Sequence, residues 1–188
     1  MMEKIETMKK SNRLMELLSH KSIKYAVGTA LLTGIGILLP RIFHILGGAN
    51  SGAIFLPMHI AVLLAALTFG TISASIVAGS SVVCSYLLTG MPNLARLPYM
   101  LIELLIYAVL LSVCNKKFNS YISLMITIIL GRILYAGILW IAVNGLGLPT
   151  YGISVIQSIE VGLPGIAIQL ICVPFIAKCM KKGIHLDD

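Results

Sequence analysis

The sequence predicts an all-α integral membrane protein, a compact bundle of six transmembrane helices with both termini cytoplasmic. Three observations predict it. First, the 188 residues are 58% hydrophobic and only 11% charged, with mean hydropathy +0.97, whereas about a quarter of the residues in a soluble domain are charged. Second, the apolar residues gather into stretches at about 25–40, 53–69, 71–88, 99–113, 121–143 and 161–177, with residues 1–24 and 183–188 as flanking polar segments. Third, the cations are sorted. With six spans the two terminal segments share a side with the loops after spans two and four. That side holds Lys4, Lys9, Lys10, Arg13, Lys21, Lys24, Lys116, Lys117, Lys178, Lys181 and Lys182, against Arg41 and Arg96 on the other. An excess of Lys and Arg marks the cytoplasmic side.

The net charge of +7 does not point to nucleic acid, because the positives lie between apolar segments rather than along one face. Cys84, Cys114, Cys172 and Cys179 fall in or at the ends of apolar stretches without CxxC or Cys/His spacing. They read as small apolar residues, neither a disulfide frame nor a metal site. Met1–Lys24 carries Glu3, Glu6 and Glu16, and no small-x-small cleavage pattern follows it. It reads as a retained cytoplasmic helix and not as a signal peptide.

Span one ends at Pro40 and Arg41. Its small residues Ala26, Ala30 and Gly34 recur every fourth position and share one face, which admits close approach of another helix. Packing within the chain and docking of a partner both fit that face. Span two follows the glycine-rich GGANSG and carries Pro57 and His59. Its seventeen residues make ~25 Å of helix, less than a hydrocarbon core. So short a segment with a proline and a histidine needs neighbours that supply polar partners, and it reads as one wall of a pocket.

Span three follows almost without a loop, so spans two and three form a tight hairpin. The polar loop TGMPNLARLP brings Pro92, Asn93, Arg96 and Pro98, and span four carries Glu103 near its start. Span five has Arg132 near its centre, followed by Tyr135, Trp140 and Asn144. A loop with Pro149, Gln157 and Glu160 leads to span six, which contains Gly162, Pro164, Gly165 and Gln169.

His59 and Glu103 are expected ~7–10 Å below the outer boundary at ~1.5 Å per residue. A charge at the bilayer centre costs at least ~2.5–3.5 kcal/mol, so Arg132 is expected to face protein or water, partnered by Glu103 or by a ligand anion. Two roles stay open for Glu103 and Arg132: an internal ion pair joining two helices, or ligand contact. His59 is expected either to hydrogen-bond inside the bundle or to touch ligand. With no second ligand at i+3 or i+4 it does not suggest a metal. Tyr135 and Trp140 fit interfacial packing as well as a pocket. Together these groups outline an outward-facing pocket for a small, partly polar and partly aromatic molecule. GxSxG, HExxH and Walker patterns are missing from the sequence, so no catalysis, cofactor or metal is expected.

With LPMHIAVLLAALTFG at span two, TGMPNLARLPYMLIELLIYA leading into span four and GLPGIAIQLICVPFIAK at span six, the chain resembles the substrate-binding S components of energy-coupling factor (ECF) transporters over about residues 25–182. The resemblance implies a multi-pass protein of a prokaryotic plasma membrane that captures a B-type vitamin or related micronutrient from outside. Its implied partners are a transmembrane coupling protein and two cytoplasmic ATPases, in an ABC-type importer. The family's small-x-x-x-small docking pattern falls on Ala26 and Ala30. Its ligand region maps onto Asn50, Ser51, Arg96, Glu103, Tyr135, Trp140, Asn144 and Gln157, and Arg132 with Arg96 favours a carboxylate-bearing ligand. Two other readings remain from the residues themselves: a stand-alone proton-coupled carrier using His59 or Glu103, and an assembly subunit in which Glu103 and Arg132 only lock helices.

Overall fold

The computed structural model describes residues 2–48, 54–94, 96–145, 147 and 155–184, with side chains described from residue 21 onward and, in the last helix, from residue 160. The described residues are all-helical: α1 Met2–Gly47, α2 Pro57–Thr68, α3 Thr71–Thr89, α4 Leu97–Cys114, α5 Ser120–Asn144 and α6 Val155–Ile184. Five of these, α1 from Lys21 together with α3, α4, α5 and α6 from Glu160, are long and apolar enough to cross a membrane. The chain is thus a multi-pass membrane protein, and its surface agrees. Leu31, Ile72, Ile133 and Ile171 point outward with 60% or more of their area exposed. An apolar exterior on that scale is stable against lipid, not water.

The twelve residues of α2 make ~18 Å of helix at ~1.5 Å per residue, too short to cross a bilayer alone. It packs against α1, α3, α4 and α6, and all its residues except Ile60 are buried. An element apolar all round belongs where other protein covers every side, and α2 is accordingly the axis of the bundle.

Local chemistry sets the ends of these helices. Pro57 opens α2 at the position where a missing N–H costs nothing. Before it, Leu56 holds a left-handed backbone (φ 48°, ψ 48°), and its carbonyl accepts from the His59 N–H at 3.0 Å and from Gln169 Nε2 of α6 at 3.3 Å. Only Phe69 and Gly70 separate α2 from α3, as the hairpin expectation required, with Gly70 at φ +84°. Asn119 caps α5, its side chain accepting from the Ile122 N–H at 2.9 Å.

Glycines then set how closely the helices approach. A Cβ on Gly28 would run into the Phe69 ring, and one on Gly36 would meet Ser81 Oγ at 2.5 Å. On Gly165 it would meet the backbone of Ile54 and Phe55 at 2.6–2.7 Å. Small residues replace side-chain bulk at these crossings and let the backbones close.

Two boundaries differ from the sequence expectation. The first span does not stop at Pro40 and Arg41; α1 runs through Pro40 to Gly47 and is continuous back to Met2. A proline inside a helix removes a single donor, and lipid-buried helices tolerate that. The last helix begins at Val155, so Gln157 and Glu160 stand on it rather than in a preceding loop.

Candidate functional site: a buried carboxylate between two bases

The site grows from three helices. α2 places His59 two residues after its opening proline, α4 places Glu103 about two turns in, and α5 carries Arg132 at mid-length. Their exposures are 4%, 9% and 7%. Both bases converge on one carboxylate oxygen: Arg132 Nη1 lies 2.9 Å from Glu103 Oε1, and His59 Nε2 lies 3.6 Å from the same atom on another side. Glu103 and Arg132 thus form an ion pair that joins α4 to α5, and this pairing does not bear on contact with a ligand.

Of the two roles expected for His59, the structure shows an approach to Glu103 inside the bundle that stops short of a hydrogen bond. Among the described residues neither ring nitrogen has a hydrogen-bond partner, and 3.6 Å is too long for that bond to Glu103. The ring is held instead by packing, edge-on to Tyr107 at 5.3 Å between centroids and 77° between planes. That is the preferred arrangement of an electropositive ring edge against a π face.

Apolar and aromatic walls enclose the charges. Tyr107 and Leu104 lie on the side of the main core, with Tyr107 close over Gly131, where an added Cβ would come within 3.1 Å of its ring. On the other side Tyr99, Tyr135, Leu139 and Ala142 form a separate buried cluster between α4 and α5. Sequence reasoning missed Tyr107 and Tyr99, which lie four residues on either side of Glu103 and therefore on its face of α4. That spacing was the available signal.

The remaining expected contacts spread out. Tyr135 is buried beside the cluster, 3% exposed, while Trp140 is 68% exposed on the outer face of α5. Asn144 is exposed and donates through Nδ2 to the Trp140 carbonyl. Arg96 is exposed just before α4. Asn50 and Ser51, and the side chain of Gln157, lie outside the described residues.

A second polar region lies away from the charges. Tyr25, Ala26, Thr29, Ala30 and Thr33 of α1, with Ser73, Ile76 and Ser80 of α3, line an open groove of about 550 Å³. The Thr29, Thr33 and Ser80 hydroxyls are satisfied internally. Thr29 donates to the Tyr25 carbonyl at 2.7 Å, Ser80 to that of Ile76 at 2.5 Å, and Thr33 bonds Ser80 at 3.1 Å. Ala26 and Ala30 are exposed along the groove, and Gly34, one turn on, has open space where a Cβ would stand. Four-residue spacing therefore left two candidates for a small-residue contact on α1. The face buried within the chain is that of Gly28, Leu32 and Gly36.

Among the described residues, no group of three or more His, Cys, Asp or Glu is placed to hold a metal ion. Comparison with known proteins adds no assignment: no family model, curated protein or solved structure matches this chain.

Proposed function

We propose that this chain is the substrate-binding membrane subunit of an ECF-type importer. In this reading it captures a small vitamin-like solute from outside and delivers it inward with a transmembrane coupling protein and two ATPases. The solute contacts Glu103, Arg132, His59 and Tyr135, at the end of the bundle where α2 and α4 begin. α2 serves as the sixth crossing, sheltered by its neighbours, so that both termini are cytoplasmic in a cell membrane and the lysine-rich ends face the ATPases.

The observation that carries the reading is the uncovered groove between α1 and α3. In a protein that otherwise uses small residues to close helix crossings, Ala26, Ala30 and Gly34 face outward with no helix among the described residues upon them. A flat face of small residues suits a further transmembrane helix, because association in lipid rests on close packing and not on hydrophobic burial.

The test is affinity purification from the native membrane, with mass spectrometry of both the accompanying proteins and the small molecules released on denaturation. The expected result is a stoichiometric vitamin-like compound together with an ATPase-bearing complex. Ala26→Trp or Ala30→Trp should lose the complex and keep the compound. Loss of the compound with retention of the complex would reverse the assignment of the two regions.

The 3.6 Å approach of His59 to Glu103 favours a second reading, a stand-alone proton-coupled carrier. It requires uptake into vesicles driven by a pH gradient with no ATPase present.

A further inference from the structure

Glu103 has two bases in reach of one oxygen. Arg132 occupies it at 2.9 Å, and His59 waits at 3.6 Å with neither ring nitrogen hydrogen-bonded. A shift of under about 1 Å brings the imidazole to charge-assisted hydrogen-bond distance. The carboxylate and the guanidinium balance one another. Bringing an anion to Arg132 leaves a surplus negative charge in a site that is at least nine-tenths buried, a state that a low-dielectric interior strongly disfavours. A proton on His59 restores neutrality and gives Glu103 a replacement partner.

We infer that Glu103 is a counter-ion exchanged between Arg132 and His59. A small carboxylate-bearing solute takes Arg132, Glu103 passes to a protonated His59, and one anion enters the site with one proton. The inference rests on the reading of this cluster as a solute site. No covalent bond changes. The proton comes from the water that delivers the solute and ends on the imidazole, and the guanidinium stays charged throughout.

Among the described residues, no ionisable group besides Glu103 and Tyr107 is shown in contact with His59. From α4 it faces Glu103 and Tyr107, and from α5 Arg132 and Tyr135 lie across the carboxylate. Toward the same end of the bundle, Arg41 and His44 of α1, Tyr86 of α3 and Glu160 of α6 form no ion pair with it among the described residues.

The experiment is nitrogen-15 NMR of histidine-labelled protein in lipid nanodiscs at constant neutral pH, with the His59 signal assigned by its loss in His59→Asn. This separates it from His20, His44 and His185. In Arg132→Gln, His59 should pass from neutral imidazole to imidazolium, the ratio of the two changing about tenfold or more. The double variant Arg132→Gln/Glu103→Gln should restore the neutral form. In the unmodified protein, titration with sodium acetate at fixed ionic strength should build up the imidazolium signal, and this arm alone decides if Arg132→Gln does not fold.

A folded Arg132→Gln protein with neutral His59 overturns the exchange. So does an unmodified protein whose His59 signal is unchanged at the highest acetate the sample tolerates. Neither result touches the vitamin-binding reading, which fails instead if denaturation releases no small molecule.

Discussion

Between α2, α4 and α5, three ionisable side chains meet over one carboxylate oxygen with exposures of 9% or less. Between α1 and α3, hydroxyls and alanines line a groove that no described residue covers. The two regions solve the problem of polar groups in an apolar protein in opposite ways. Hydroxyls can return their hydrogen bonds to carbonyls of their own helix, as Thr29 and Ser80 do, so their helix face can be left bare. A carboxylate and a guanidinium have no such local solution, and three helices must converge to neutralise them. The difference teaches where each kind of function fits: charges where a solute can be enclosed, small residues where another helix can lie.

Breaking the central pair should produce the largest effect. Arg132→Met removes the closer partner of Glu103 and leaves His59 as its replacement, and the expected cost is about 3 kcal/mol, the lower end of the range for removing one partner of a buried pair. Thermal unfolding in detergent checks it. A loss below that of an ordinary surface substitution would mean that Glu103 is relieved in some other way.

The two faces of α1 give the next contrast. Gly28→Leu drives a side chain into the Phe69 ring and should cost about 1–3 kcal/mol by overpacking. Ala26→Leu, on the groove, should change stability by no more than about 0.5 kcal/mol. The same melting curves measure both, and equal losses would show that the groove is filled in the intact protein.

The smallest effect separates two adjacent serines. Ser81 is fully buried, and its hydroxyl has no hydrogen-bond partner among the described residues, so Ser81→Ala should be neutral or stabilise by up to about 1 kcal/mol. Ser80, bonded to Ile76 and Thr33, should show no such gain on conversion to alanine. A clear loss at Ser81 would indicate a partner supplied by the membrane or by water.

Much of this architecture was legible from local pattern alone. The apolar stretches became helices, and the two-residue link at Phe69 and Gly70 became the hairpin. His59, Glu103, Arg132 and Tyr135 were marked because a titratable or aromatic residue in an apolar segment has few benign explanations. The aromatic side chains that hold the site, Tyr107 and Tyr99, passed unnoticed, because a tyrosine in an apolar run carries no signal until its neighbour on the same face is known to be charged. Trp140 and Asn144 were grouped with them by depth along α5. Depth does not say which way a residue points, and Trp140 faces outward.

Composition and hydropathy by themselves determined a multi-pass helical membrane protein, because only helices long and apolar enough can satisfy their backbone in lipid, and that condition is written in the sequence one segment at a time. Only the tertiary structure decided that the twelve-residue α2 is the axis of the bundle, that His59 and Arg132 share a single oxygen of Glu103, and that α1 buries Gly28 and Gly36 while leaving Ala26 and Ala30 open. Each of these depends on how far helices distant in sequence rotate and approach, and rotation and approach are set by packing between elements, which no single segment encodes.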